Sequence, residues 1–202
     1  MNEARESRFT KARLEAFSDG VIAVIITIMV LDLKAPDDDS LNSFMKLWPA
    51  FLAYAISFVF AAIYWINHHH IIATVRRVTA AVIWSNNVLL FFLSLFPFAT
   101  AYMAATRMSP FPTMIYGVVQ LCCAFAFGAL SWIIDQQQDQ DAVLRQAKQG
   151  GIWKGRVSQV LYALAIPAAY FNPAVSIAIF VTIAILYTVP DLLARQAPGK
   201  MR

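Results

Sequence analysis

The sequence predicts an all-α integral membrane protein with six transmembrane helices and both termini in the cytoplasm. Three observations carry this. The 202 residues are 59% hydrophobic and 14% charged, with a mean hydropathy of +0.59, whereas a soluble domain is about 45–50% apolar and about 25% charged. Apolar runs near the ~20 residues needed to cross a ~30 Å hydrocarbon core recur six times. Thirteen of the sixteen Lys and Arg fall on one side of those runs once the N-terminus is placed inside; Lys34, Lys46 and Arg107 fall on the other. That bias orients the chain.

The first span covers about 13–33, the second 47–66, the third 80–103 and the fourth 111–134. Residues 135–156 read as a cytoplasmic loop. The fifth span, 157–171, is short; it borrows a turn from Trp153 or lets Lys154 and Arg156 snorkel. Asn172-Pro173 breaks it from the sixth, 173–189, and makes the last two a helical hairpin. The length suits one membrane domain, 1–202. Asp32 and the run Asp37–Asp39 then lie outside, just past the first helix.

Several classes are excluded. The basic residues form short clusters between apolar runs with no basic, aromatic-interleaved stripe, so no nucleic-acid partner is expected. The first twenty residues hold seven charges before Asp19 and no apolar core with a cleavage site, so no cleaved signal peptide is expected. Cys122 and Cys123 are adjacent inside an apolar run and read as packing residues. No nucleophilic triad or phosphate-binding glycine loop is evident, so the chain is not read as an enzyme. His68, His69 and His70 are consecutive; on a helix they point 100° apart and cannot converge on one metal as i, i+4 ligands do. No cofactor is expected.

The middles of all six spans lack Asp, Glu, Lys and Arg. Ion-coupled carriers and proton pumps usually need such a group near the midplane, and no internal repeat supports an inverted-repeat transporter. At 100° per residue, Val24, Ile28 and Leu31 stack within about 60° on the first helix. Phe17 shares their stripe and Thr27 flanks it. Periodicity alone favours ordinary packing of this stripe against lipid or a neighbour. Ser18 and Asp19 fall about 120–140° away. Buried there, the Asp19 carboxylate requires donors. Trp65, Asn67 and His68 on the second helix and Ser85 and Asn86 on the third lie at matching depth, which predicts a polar cluster clamping three helices.

Arg13-x-x-x-Phe17-Ser18-Asp19, Trp65-x-x-His68, and Asn86 followed by Pro97 resemble the signature of the transmembrane protein 175 family, the lysosomal and bacterial potassium channels. The resemblance implies a homotetramer in the plasma membrane, its pore lined by the first helix of each subunit. Val24, Ile28 and Leu31 then fall on the family's apolar pore rings and Thr27 on its threonine. The first ring is Val24, where relatives tend to carry Ile or Leu. The resemblance also assigns Arg13, Phe17, Ser18, Asp19, Trp65, His68 and Asn86 to the polar clamp, although Arg13 projects near Val24 and the projection leaves its direction open.

The expected function is a leak-like potassium-selective channel, permeated by K+, with the apolar rings as filter and gate. TMIYGVV at 113–119 lacks the Gly before Tyr that a carbonyl filter loop carries, so it reads as packing. Asp32 is a candidate for cation attraction at the outer mouth, and Asp37–Asp39 read as a solvated loop or as part of the same attraction. A secondary transporter for cations or small organic molecules is the alternative.

Overall fold

Helices α1 (Lys11–Leu31), α2 (Leu41–Met45), α3 (Trp48–Ala73), α4 (Ala80–Leu93), α5 (Phe96–Ala105), α6 (Pro110–Asp135), α7 (Ala142–Phe171) and α8 (Pro173–Gln196) account for nearly all of the described chain. The computed structural model describes residues 10–36, 38–137 and 142–196, with side chains for all of these except 142–152 and 189–196. Asp37, Arg5, Arg8, Lys200 and Arg202 lie outside the described residues, as do the side chains of Arg145, Lys148 and Arg195.

Helix starts follow local chemistry. Thr10 caps α1 by accepting from the Arg13 N–H at 3.4 Å, and Thr79 caps α4 by accepting from Val82 at 3.4 Å. Proline stands in the first turns of α3, α5 and α6, where its missing N–H costs nothing. Pro97 also explains why the run read as one span, 80–103, is two helices. It has no N–H for the carbonyl of Leu93, and the helix breaks at Ser94–Leu95. Beyond α5 the chain turns through Arg107 and Met108, both left-handed with φ of 51° and 58°. Met108 N–H reaches Met103 O at 2.8 Å and Arg107 N–H reaches Ala104 O at 3.1 Å, a Schellman closure whose left-handed positions usually hold glycine.

Two other boundaries differ from expectation. The stretch 135–156, read as a loop, is helical from Ala142; Ala, Leu, Arg, Gln and Lys favour helix whether or not they are apolar enough for a membrane. Helix α3 runs seven residues past Ile66, because polar Asn67 and the histidines end an apolar run without ending a helix. Asn172 separates α7 from α8 as the Asn-Pro pair predicts.

Among the described residues four segments are long and apolar enough to cross a membrane: α1, α3, α4 with α5 (80–105), and α6; Pro173–Thr188 is a shorter apolar helix. Helix α6 sits centrally, against α3, α4, α5, α7 and α8, while α1 lies to one side on α3, α4 and α5. Aromatic rings fill the interior. Tyr116 and Phe180 have centroids 5.3 Å apart, and Tyr64 meets Phe96 at 6.1 Å and Phe127 at 6.2 Å. Gly117 lets α7 and α8 close on α6: a Cβ there would meet Ile166 Cγ1 at 3.1 Å and Phe180 Cζ at 3.4 Å. Close approach through small residues is the usual device where lipid supplies no hydrophobic drive.

Candidate pore face and its polar anchor

Helix α1 is sharply two-sided. Leu14, Ser18, Ile22, Ile25 and Met29 form its buried face, with Ile22 at 2% and Met29 at 1% exposure. Spacings of 4, 4, 3 and 4 keep these residues on one stripe about 80° wide. Opposite, Val24 is 56% exposed, Ile28 44% and Leu31 74%. Only 28% of the apolar window of α1 is buried, against 39–44% for the other three long segments. The exposed arc is broad, about 160° at 100° per residue. Val24, Ile28 and Leu31 line one side of it, Ala16, Gly20 and Thr27 its middle, and Ala23 and Val30 the other side. Thr27 turns its hydroxyl back to its own helix, donating to Ala23 O at 2.9 Å.

The buried face is tied down by side-chain hydrogen bonds. Asn86 of α4 is the hub: its Nδ2 donates to Ser18 Oγ at 3.0 Å, and its Oδ1 pairs with His68 Nε2 at 2.7 Å. Ser18 in turn donates to Leu14 O at 2.9 Å. All three side chains are fully buried, so one amide joins α1, α3 and α4. Asp19, 100° round the helix from Ser18, stands apart from this cluster and accepts instead from Trp65 Nε1 at 2.9 Å. One turn below, Glu15 Oε1 meets His69 Nδ1 at 3.0 Å, and Lys11 Nζ donates to Ala73 O. Three rungs thus zip the inner halves of α1 and α3 together.

The expected clamp is therefore two neighbouring sets of contacts. Ser18, His68 and Asn86 form one; Asp19 and Trp65 form the other. Phe17 belongs to neither: it is exposed on the arc with Val24, as its 100° offset from Ser18 requires. Arg13 is exposed near the same stripe. Asn67 donates to Ile63 O of its own helix at 2.7 Å. The three histidines diverge, His68 inward to Asn86 and His69 outward to Glu15. Asp32 ends α1 and is exposed. Asp38 is engaged: its carboxylate accepts from the Ser40 N–H and the Ser43 hydroxyl, each at 2.8 Å. Its hydrogen bonds with Ser40 and Ser43 hold its pKa below the usual carboxylate value.

A second polar group, absent from the sequence reading, sits deeper. Ser57, Thr100, Tyr116 and Gln120 are buried and linked. Searching for charges passes over it, because all four are neutral. The available signal was four polar residues at mid-span on helices that must meet.

Residues 13–97 match the family described as the endosomal/lysosomal potassium channel TMEM175. A potassium channel of a Chryseobacterium species is 40% identical over 182 residues, 90% of this chain and 94% of that protein. A potassium channel of Chamaesiphon minutus is 31% identical over 204 residues, 93% of this chain and 97% of its own length. The crystal structure of a lysosomal potassium-selective channel TMEM175 homologue from Chamaesiphon minutus superposes with a TM-score of 0.79 at 28% identity, covering 89% of this chain and 97% of that one. These proteins are channels rather than enzymes. A helical membrane chain with α1 held on three neighbours, matched over nearly its whole length, belongs to the TMEM175 family.

Proposed function

We propose that this protein is a leak-like potassium-selective channel of the plasma membrane, built from four copies, each crossing the bilayer six times with both termini in the cytoplasm. The observation that carries this reading is the asymmetry of α1. Its own helices cover and hydrogen-bond one face and leave Val24, Ile28 and Leu31 bare. In the assembly these three form successive apolar rings around the ion path, with Thr27 beside them. The row Ala16, Gly20, Ala23 is small enough for a neighbouring α1 to pack closely.

Apolar constrictions select and gate by dewetting and by filtering partly hydrated ions. Potassium holds its water less tightly than sodium, so a narrow apolar ring hinders it less. Val24 is the smallest of the three ring residues and sets the widest ring. Asp32 at the outer end raises local cation concentration within a Debye length, about 8 Å in physiological salt. The species that moves is K+, and no cofactor takes part.

Single-channel recording in a planar bilayer, with potassium on one side and sodium on the other, tests the reading. Unitary currents reversing toward the potassium potential are expected. Slow, saturable flux coupled to a gradient would instead establish the alternative, a secondary transporter for cations or small organic molecules.

A further inference from the structure

The neutral polar group in the core is a chain that ends on the pore helix. Gln120 Nε2 donates to Tyr116 OH at 3.0 Å, and Tyr116 OH and Ser57 Oγ are 3.1 Å apart. Ser57 Oγ and Thr100 Oγ1 are 2.7 Å apart, and Thr100 donates to Met29 Sδ at 3.8 Å. Ser57 Oγ donates to Tyr116 OH, and Thr100 Oγ1 lies within bonding distance of both Ser57 Oγ and Met29 Sδ. These contacts join α6 through α3 and α5 to α1, and Gln120 Oε1 has no partner among the described residues.

The terminus of the chain is Met29, next in sequence to Ile28 and 100° round α1 from it. Met29 and Ser18 are eleven residues apart, which is three turns, ~16 Å, with only about 20° of angular offset. Helix α1 is thus held near its inner end, at Ser18 by Asn86 and by its contacts with α3, and again three turns further out, at Met29 by Thr100. The outer contact fixes the tilt and rotation of the segment that carries Ile28 and Leu31. A 10° roll moves a side chain ~5–6 Å from the axis by about 1 Å, more than the ~0.5 Å tolerance of a working site.

We infer that the Tyr116–Ser57–Thr100 hydroxyl chain is a positioning device that sets the rotation of α1, and with it the width of the Ile28 and Leu31 rings. Thr100 touches no ion; it acts through Met29. This rests on the channel reading above, and the test separates the two.

Thr100→Val, Thr100→Ser and wild type are compared for K+/Na+ permeability ratio in bilayers and for thermal stability of the purified assembly. A single interhelical hydrogen bond in a membrane contributes little to stability on average, so T100V is expected to assemble. Its permeability ratio should fall by about threefold to tenfold, the range one neutral hydrogen bond spans, while T100S keeps the wild-type ratio. Should T100V not assemble, Tyr116→Phe breaks the chain two links away and keeps the ring between Phe96 and Phe180; it should move the ratio the same way. A lowered melting temperature with an unchanged ratio, in T100V or in Y116F, overturns the inference and leaves a structural network. Absence of wild-type potassium currents overturns the channel reading instead.

Discussion

The two faces of α1 are made of the same kinds of side chain and have opposite fates. Ile22, Ile25 and Met29 are buried; Val24, Ile28 and Leu31, interleaved with them in sequence, are exposed. Apolar character does not decide between them. What differs is polar company: the buried face carries Ser18, bonded to Asn86, and Met29, bonded to Thr100, whereas the side chains of Val24, Ile28 and Leu31 have no polar group to offer a neighbouring helix. Polar groups in a bilayer must find partners, so the few that α1 has fix which face turns inward. The aliphatic residues opposite are then left for lipid, a second copy or an ion path.

Substitutions on the two faces should therefore separate stability from permeation. The largest stability loss is expected for Asn86→Ala, which strands His68 Nε2 and removes the link to Ser18; each buried group left unpaired costs about 1–3 kcal/mol. A large drop in melting temperature of the purified assembly, or its failure to assemble, is the expected result. An unchanged melting temperature would mean that the hub does not hold α1. Ile28→Asn should do the reverse, with melting temperature near wild type and a clear rise in conductance or sodium leak. Equal stability loss at both positions would erase the contrast.

Trp65→Phe comes next. It removes the donor to Asp19 while keeping an aromatic body, and a charge-assisted hydrogen bond contributes about 1.5–3 kcal/mol at most, less at this partly exposed site. A modest fall in stability with permeation retained is expected. Asp32→Asn should lower inward potassium current at low ionic strength and lose that effect near 1 M salt, where the Debye length is about 3 Å; a salt-independent effect would place Asp32 in the ion path itself. The smallest effect belongs to Asp38. Its folded pKa lies below the ordinary 3.8, so its hydrogen bonds to Ser40 and Ser43 stabilise the start of α2 above that value and weaken as pH falls through the lowered one. Acidification to that range should loosen 38–45 by amide exchange while potassium currents set by α1 stay as they are.

Much of this was legible in the sequence, for identifiable reasons. The four long apolar segments announce themselves through hydropathy. A polar cluster on α1, α3 and α4 was foreseeable because Asp19, Trp65, His68 and Asn86 are among the few polar residues at one depth on three helices of known direction; that Asn86 bonds Ser18, leaving Asp19 to Trp65, was not. Pro97 was visible, but its effect depended on the carbonyl of Leu93 lacking a donor, which hydropathy does not register. The early start of α7 was hidden because a polar helix and a loop look alike to a membrane-span criterion. The Ser57–Thr100–Tyr116–Gln120 chain was hidden for a different reason. Hydroxyls on helices can satisfy themselves by bonding back one turn, as Thr27 and Ser94 do, so mid-span Ser and Thr carry no signal until their neighbours are known. Nor does exposure alone choose between the two sides of the bare arc, since Val30 is as open as Ile28.

Cysteine accessibility decides which side of α1 faces the ion path. With Cys122 and Cys123 replaced by alanine, single cysteines at Ile28 and Leu31 are compared with single cysteines at Ala23 and Val30, and potassium current is followed as silver ion is added. Rapid block is expected at Ile28→Cys and Leu31→Cys, with little effect at Ala23→Cys and Val30→Cys. Block at positions 23 and 30, with 28 and 31 silent, would contradict this expectation and move the ion path to the other side of α1.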